Sequence, residues 1–347
     1  MSNTLWTPRV LFGSRTSDPN PPYPRLFDYA DNYKLPYSLQ YSVAIEQPFA
    51  VANSLSISYV GSAGRRLARI ESLRPQVLQN ANFTRVDSVN NDGYSDYNSL
   101  QMQFKRRMTR GLQALLSYTW AKSLDTASDE SNNSFQAPAA RLSPSSDRGP
   151  SSFDIRHAFT GAASYEIPFV SESRAARAIL SGFALDSIVR FRTASPVSVV
   201  TGRDPLGLGL TNVSRPDVVP GQALYLYSDS LPGGRRFNPA AFDAARPLAQ
   251  ARQGTLGRGT LRGFGLQQVD LSVRRRFRLA EEVGLDFRAD AFNLFNTANF
   301  ANPVGVLTNT NFGRSTQILS TSSVGALNPL FQVGGPRSMQ LALKLQF

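Results

Sequence analysis

The sequence predicts an all-β chain, an antiparallel run of long strands that crosses a membrane as a segment of a β-barrel. Three observations predict it. Apolar and polar residues alternate in stretches of roughly ten, the span of a tilted membrane strand. The links between these stretches are alternately short and long, as in barrels with short turns on one side of the membrane and long loops on the other. No run of about eighteen apolar residues exists to make a membrane helix. The mean hydropathy of −0.25 does not count against strands, whose alternation keeps the average low.

The alternation begins at Tyr37, with Tyr37, Leu39, Tyr41, Val43 and Ile45 against Ser38, Gln40, Ser42, Ala44 and Glu46, and Pro48 ends it. Leu55, Ile57 and Tyr59 follow against Ser54, Ser56 and Ser58, closed by Gly61 and Gly64. A third strand sets Leu100, Met102 and Phe104 against Gln101, Gln103 and Lys105, and a fourth sets Leu112, Ala114, Leu116, Tyr118 and Trp120 against Gln113, Ser117 and Thr119. The fifth alternates from Ile155 to Ile167 and the sixth from Phe183 to Arg192. Near the end, Val269, Leu271, Val273 and Phe277 alternate with Gln268, Asp270, Ser272, Arg274 and Arg276, and Val283 to Ala291 forms an eighth strand. The ninth is the terminal stretch, with Leu341, Leu343, Leu345 and Phe347 on one face.

Ala68 to Asp96, Ser123 to Ser151 and Thr201 to Gly265 are read as long polar links. Soluble domains rarely carry structureless loops beyond about fifteen residues, whereas outer-membrane barrels carry them externally. The short turns are then periplasmic and the long loops extracellular. Residues 1–36 read as an extracellular loop or irregular lead-in, and residues 37–347 as a partial barrel. About nine strands is an odd number where single-chain bacterial barrels use even ones, so the first strand is expected to need a partner from other sequence. The opening MSNTLWTPRVLFGSRTSDPNPPYPR has no basic segment followed by an apolar one. It does not read as a signal peptide, and Met1 is therefore expected not to be the true start of the parent protein.

Composition removes several classes. With no Cys, disulfide frameworks and cysteine zinc sites are excluded. His157 is the single histidine, so a transition-metal site or a Ser–His–Asp arrangement has nothing to stand on. It lies on the apolar parity of its strand and reads as an interfacial or packed side chain. The net charge of +12, from 37 Lys+Arg against 25 Asp+Glu, forms neither a basic stripe nor a recognition motif, so nucleic acid is not expected as a partner. Gly254–Gly265, GTLGRGTLRGFG, lacks the following helix that a phosphate cradle needs and reads as a flexible loop entering a strand. No catalytic residue and no cofactor is expected.

Soluble β-sandwiches and propellers also alternate. Against them stand strands longer than the usual five or six residues, a terminal aromatic, and aromatics near strand ends (Tyr59, Trp120, Phe169, Phe191 and Phe277) as in a membrane girdle.

Several segments together resemble the barrel of TonB-dependent outer-membrane transporters, specifically the Oar-like acidobacterial type. They are YSLQYSVAIEQPF, SISYVGSAGRRL, YNSLQMQFKRRMTRGLQALLSYTWAKSLD, DIRHAFTGAASYEIPF, FNPAAF, GTLGRGTLRGFGLQQVDLSVRRRFRL, FRADAFNLFNTANFANP, NFGR and PRSMQLALKLQF. The resemblance covers Tyr37 to Phe347 in order. It implies a barrel of about 22 strands, of which this chain supplies the last nine or so. It also implies a signal peptide, a regulatory β-sandwich and a plug that contacts TonB, all lying outside these residues.

Two motifs are singled out. Met339, Leu341, Leu343, Leu345 and Phe347 resemble the insertion signal read by the barrel-assembly machinery, acting by strand addition to an open sheet edge. Phe292, Asn293, Leu294, Phe295 and Asn296 (FNLFN) resemble a family hallmark with a structural role, aromatic packing at the outer interface while Asn293 and Asn296 satisfy turn backbone. Glu46, Lys105, Arg156, Glu166, Arg190, Arg192, Arg274, Arg276, Arg288 and Asp290 fall on the inward parity, where a large lumen holds water and a plug. Arg65, Arg66 and Arg69 are read as loop arginines able to meet anionic lipopolysaccharide. The expected partners are thus outer-membrane lipid and lipopolysaccharide, the assembly machinery, and TonB through a plug only. The functional expectation is a Gram-negative outer-membrane receptor segment for uptake of a bulky ligand. The alternatives are a structural or adhesive outer-membrane protein with binding loops, and a soluble basic β-domain that binds polyanions.

Overall fold

A computed structural model describes residues 21–73, 82–128, 147–169, 172–173, 181–204, 210–245, 247, 253–278, 283–322 and 333–347. Its main body is one twisted sheet of nine consecutive long strands. They are β2 (Tyr37–Phe49), β3 (Asn53–Leu73), β4 (Val86–Thr109), β5 (Leu112–Asp125), β7 (His157–Glu166), β8 (Phe183–Arg192), β15 (Leu266–Arg278), β16 (Gly284–Phe292) and β17 (Ser338–Gln346). Each pairs antiparallel with its neighbour in chain order. Two short strands attach to this path. β1 (Leu26–Tyr29) runs parallel to β4 at Val86–Val89, and β6 (Gly149–Pro150) pairs with the end of β5. Among the described residues β2 and β17 form the two open edges, so the wall is an arc and not a closed barrel.

The register makes the wall two-faced. Residues directly opposite share a face, and Ile45, Ile57, Met102, Tyr118, Phe159 and Phe191 stand in one continuous row across β2, β3, β4, β5, β7 and β8. The adjacent row on the other face reads Glu46, Ser56, Gln103, Ser117, Thr160 and Arg190. The apolar face is exposed, Val43 to 71% and Leu343 to 70%. In water this would be a severe liability, and it is the surface that lipid would cover. Gly61 on this face lies under the Tyr41 ring, where a Cβ would come 2.1 Å from Tyr41 Cε2. The ring covers the backbone that the missing side chain leaves bare.

Turns sort to the two ends. β4 and β5 are joined by Arg110–Gly111, both at positive φ (53° and 80°), the two-residue primed turn that matches strand twist. β2 and β3 are joined by Ala50–Ala52 at the same end, where β7 also passes to β8 through residues 167–182, and the β3–β4, β5–β7, β8–β15 and β16–β17 connections leave from the other end.

Five readings of the sequence differ from the structure. The segment Ala68 to Asp96 is not a plain link, because β3 continues to Leu73 and β4 begins at Val86; residues 74–81 lie outside the described residues. Beyond Gly64 the buried members of the ladder, Arg69, Ser72, Val86, Asp87 and Val89, are polar and apolar alike, so the ladder persists there without the alternation. For the same reason Tyr59 and Trp120 lie inside their strands and not near the ends. The ladder kinks at Arg66 (φ 55°), where an extra β3 residue between Gly64 and Leu67 is offset by an extra β4 residue between Gly93 and Asn90. Within Ser123 to Ser151, β5 runs to Asp125 and β6 returns to it, residues 129–146 being outside the described residues.

The segment Thr201 to Gly265 is folded. It joins residues after β8 and after β16 in a small layer built from β9 (Pro196–Val197) with β14 (Leu261–Arg262), β10 (Asp217–Val218) with β13 (Phe242–Asp243), and β11 (Tyr225–Tyr227) with β12 (Arg235–Phe237). Val197, Val199, Phe237, Ala241, Phe242, Leu256, Leu261 and Phe312 form an apolar cluster there. Phe242 meets Phe312 edge-on at 5.7 Å. Each of the large members contributes about 1.5–3 kcal/mol by leaving water. Gly254–Gly265 is not a loose loop either, since Leu256, Arg258 and Leu261 are buried and a Cβ on Gly254 would meet the Pro216 carbonyl oxygen at 2.0 Å.

Near the β1–β4 pairing, burial raises the Asp28 carboxyl above its ordinary value; the Tyr29 backbone hydrogen bond opposes this and Asp31 adds to it. A raised carboxyl pKa means stability that is present in acid and lost as pH rises through the folded-state value. Hydrogen exchange at Leu26–Tyr29, corrected for intrinsic rates, is expected to slow as pH falls into the carboxylate range.

Candidate functional site

The polar face of the wall is the first candidate surface. In its centre Ser56, Ser58, Gln101, Gln103, Ser117 and Thr119 line a shallow recess of about 200 Å³. They come from β3, β4 and β5, whose polar parity the register brings side by side. Charged pairs flank this neutral strip. Arg190 donates to Asp270 at 2.7 Å, Arg274 to Asp186 at 2.9 Å, Arg276 to Asp286 at 2.7 Å and Arg288 to Asp290 at 2.8 Å. Arg274 also reaches Ser164, and Arg276 reaches Gln346. Five of the ten charges expected to point inward, Arg190, Arg274, Arg276, Arg288 and Asp290, belong to these pairs. Such solvated pairs add little to stability. Within these pairs the charges of the polar face balance.

At the long-loop end a second assembly is buried. Asp147 receives Arg215 on Oδ1 at 2.8 Å and Arg69 on Oδ2 at 3.2 Å, with side-chain exposures of 5%, 9% and 1% respectively. Arg69 also contacts Asp92 at 3.1 Å. Arg258 ion-pairs with Asp125 and donates to the Asp147 carbonyl at 2.9 Å and to Ser128 at 3.0 Å. Arg262 binds Asp154 at 2.6 Å, and Asp154 accepts the Ser123 amide at 2.7 Å. Burial makes each charge costly unless paired. These pairs therefore fasten the folded loop layer to β3 and β5. Sequence reasoning did not find this network, because its bonded partners lie as much as 133 residues apart and no local pattern links them. It also corrects one reading: Arg69 is buried and unable to meet lipopolysaccharide.

The terminal motif forms the edge strand β17. Met339, Leu341 and Leu343 stand opposite Ala291, Ala289 and Phe287, and Leu345 opposite Leu285, all on the apolar face. Phe347 follows the strand and is 97% exposed. FNLFN sits where β16 ends. Asn293 is buried at positive φ (49°). Its amide receives the Thr297 N–H at 3.0 Å and donates to the Thr297 and Gly335 carbonyls at 2.9 Å each, while its own N–H donates to Asp270. Asn296 accepts from the Arg337 N–H at 3.4 Å. Leu294 N–H donates to the Val269 carbonyl, and Phe292 pairs with Ser338. Phe295 is 71% exposed. Replacing Asn293 with alanine strands several buried groups and keeps the strained φ, so a loss of about 2–3 kcal/mol is expected, read as a lowered thermal midpoint in detergent.

On the apolar face His157 lies in the row of Val43, Tyr59, Leu100 and Trp120, with Nδ1 2.8 Å from the Tyr118 hydroxyl. Among the described residues no group of His, Asp or Glu could hold a metal ion.

A family model described as outer membrane beta barrel domain matches residues 3–340. No curated protein matches the chain in sequence. Among solved structures, the outer membrane transporter YddB from Escherichia coli is similar at 12% identity and TM-score 0.50, covering 93% of this chain and 34% of its own. The FrpB iron transporter from Neisseria meningitidis is similar at 11% identity and TM-score 0.45, covering 92% and 33%. The pyoverdine outer membrane receptor FpvA from Pseudomonas aeruginosa PAO1, bound to pyoverdine, is similar at 10% identity and TM-score 0.45, covering 90% and 30%. The chain spans about a third of the length of these structures, and the likeness to YddB is one of fold.

Proposed function

Because the chain belongs to the outer membrane beta barrel domain family, and so to the outer membrane, we propose that it forms part of the wall of a TonB-dependent receptor that takes up a bulky ligand through a gated pore. The observation that carries this reading is the two-faced register of the nine-stranded wall. An apolar face for lipid and a polar face with balanced charge pairs is the wall of a wide, water-filled lumen. In this reading the polar face meets a plug, and the plug meets TonB; both contacts depend on sequence outside these residues. The Oar-like subtype and the count of about 22 strands belong to the same proposal, as does the division at residue 37.

The test is the native protein in an outer-membrane extract, detected with an antibody to the β17 region and crosslinked in intact cells. A band far above 38.0 kDa that crosslinks to TonB supports the receptor. A 38.0 kDa band without a TonB adduct overturns it.

The same reading makes β17 the signal for assembly. Its apolar side chains and Phe347 would be read while the strand is added to an open edge. Phe347→Ala is expected to lower the folded fraction in the outer membrane several-fold, measured by heat-modifiable migration, without moving the thermal midpoint of the protein that does assemble.

A further inference from the structure

Above the apolar band, on the same outward face, Arg65, Arg66 and Arg148 converge on a recess of about 540 Å³ also lined by Tyr37, Tyr94 and Asp96. The register places it. Tyr37 stands opposite Arg65, and Asp96 opposite Ala63, on the parity that carries Tyr41 and Tyr59. Tyr37 is four residues beyond Tyr41, roughly 13 Å along the strand at about 3.4 Å per residue. With the strand tilted about 40° this is on the order of 10 Å above the aromatic level, where lipid headgroups lie.

The recess is built and not a chance gathering of surface charge. Arg65 is held by the Gly64 and Ser95 carbonyls, both at 2.8 Å, and by Asp96 at 2.6 Å. Arg148 contacts the other Asp96 oxygen at 3.1 Å and stands 5.9 Å from the Tyr94 ring centre. Arg66, put outward by the β-bulge, lies over Tyr37 at 5.3 Å. Asp92 also lines the recess but is engaged by buried Arg69. Three arginines against Asp96 therefore leave two positive charges. Guanidinium groups set beside aromatic rings and facing a headgroup layer suit a phosphomonoester, which they bind with charge-assisted hydrogen bonds.

The geometry points to a site for the phosphate of an anionic lipid headgroup, of the kind that lipid A carries, at Arg66 and Arg148 with Arg65 and Asp96 as the frame. The inference rests on the apolar face meeting lipid. The full chain in detergent is titrated with bisphosphorylated lipid A, with the same lipid after phosphatase treatment, and with inorganic phosphate. Retained ligand is read by native mass spectrometry. The bisphosphorylated lipid is expected to bind about tenfold more tightly than the dephosphorylated one, from the loss of charge-assisted contacts. Arg66→Gln with Arg148→Gln should remove that preference, while Arg288→Gln on the opposite face should retain it. Arg66→Gln alone, which disturbs only the stacking on Tyr37 among the contacts described, gives the same direction if the double variant folds poorly.

Equal binding of the two lipids, or an unchanged preference in Arg66→Gln, overturns the site. Inorganic phosphate that displaces the lipid at equal concentration overturns the lipid as its ligand. Quenching of Trp120 by brominated acyl chains, in a Trp6→Phe background and reconstituted bilayers, tests the membrane placement separately. Quenching without lipid selectivity removes this inference and leaves the wall reading intact, and absence of quenching removes both.

Discussion

Asp147→Ala is expected to loosen the folded loop layer from the wall at a cost of about 3–5 kcal/mol, the range for breaking a buried ion pair from one side. The size follows from what is left behind. Arg69 and Arg215 are both almost fully buried and both point at this carboxylate. Arg215 keeps the Leu256 carbonyl, and Arg69 keeps half-exposed Asp92. The one carboxylate that joins these two buried guanidinium groups is lost all the same. Limited proteolysis should detect it as cleavage within residues 201–265, with the strand ladder of β2–β5 still protected. Asp147→Asn should fall between the parent and alanine, since it keeps the acceptor and loses the charge. Protease resistance equal to the parent in Asp147→Ala would show that the pairs do not fasten the layer.

The second large effect concerns two neighbours on β5. Leu116 stands on the apolar face between Phe104 and Gly161, and Ser117 on the polar face between Gln103 and Thr160. Leu116→Arg is expected to cost about 2–4 kcal/mol in a bilayer, the range for a basic side chain on the lipid face near mid-depth. Ser117→Arg is expected to stay within about 0.5 kcal/mol, as an exposed substitution in a wet surface. Refolding into vesicles followed by urea titration measures both. The contrast is more informative than either value, because adjacent positions share strand, depth and propensity and differ in face alone. Equal costs would mean that the two faces meet the same medium.

Arg275 shows how the wall tolerates a charge on the wrong side. It shares the apolar parity with Val273 and Phe277, opposite Phe287. Its guanidinium lies 4.1 Å from the Phe277 ring centre and 4.8 Å from that of Phe183. Cation–π contact and a position near the strand end let it extend toward the interface.

The strands were legible because two media impose a period of two. From Tyr37 to Ile45 and again from Met339 to Phe347 every second residue must suit lipid, and that demand is local enough to read from a few neighbours. The extensions of β3 and β4 were not legible, since beyond Gly64 their buried residues mix polar with apolar, as in Arg69, Ser72, Val86 and Asp87, and a paired backbone places no demand on hydropathy. The loop layer escaped for another reason. Val199, Phe237, Leu261 and Phe312 meet in one cluster, but each sits among prolines, glycines and polar residues with no repeat. Asp147 and its arginines are joined only by the fold. The FNLFN motif lay between these cases. Its asparagines suggested a turn, but nothing in the sequence marked Asp270 or Gly335 as their partners.

The overhang of β3 and β4 sets a height for everything it carries. From Gly64 to Leu73 the ladder runs on for nine residues, the last pair being Leu73 with Val86, which is about 30 Å along the strand at roughly 3.4 Å per residue. A hydrogen-bonded ribbon of that length is stiff where an ordinary loop would collapse onto the surface. It stands as a stiff post beyond the apolar rows, and what it carries at its far end, the β1 pairing at Val86–Val89 included, is held at that height.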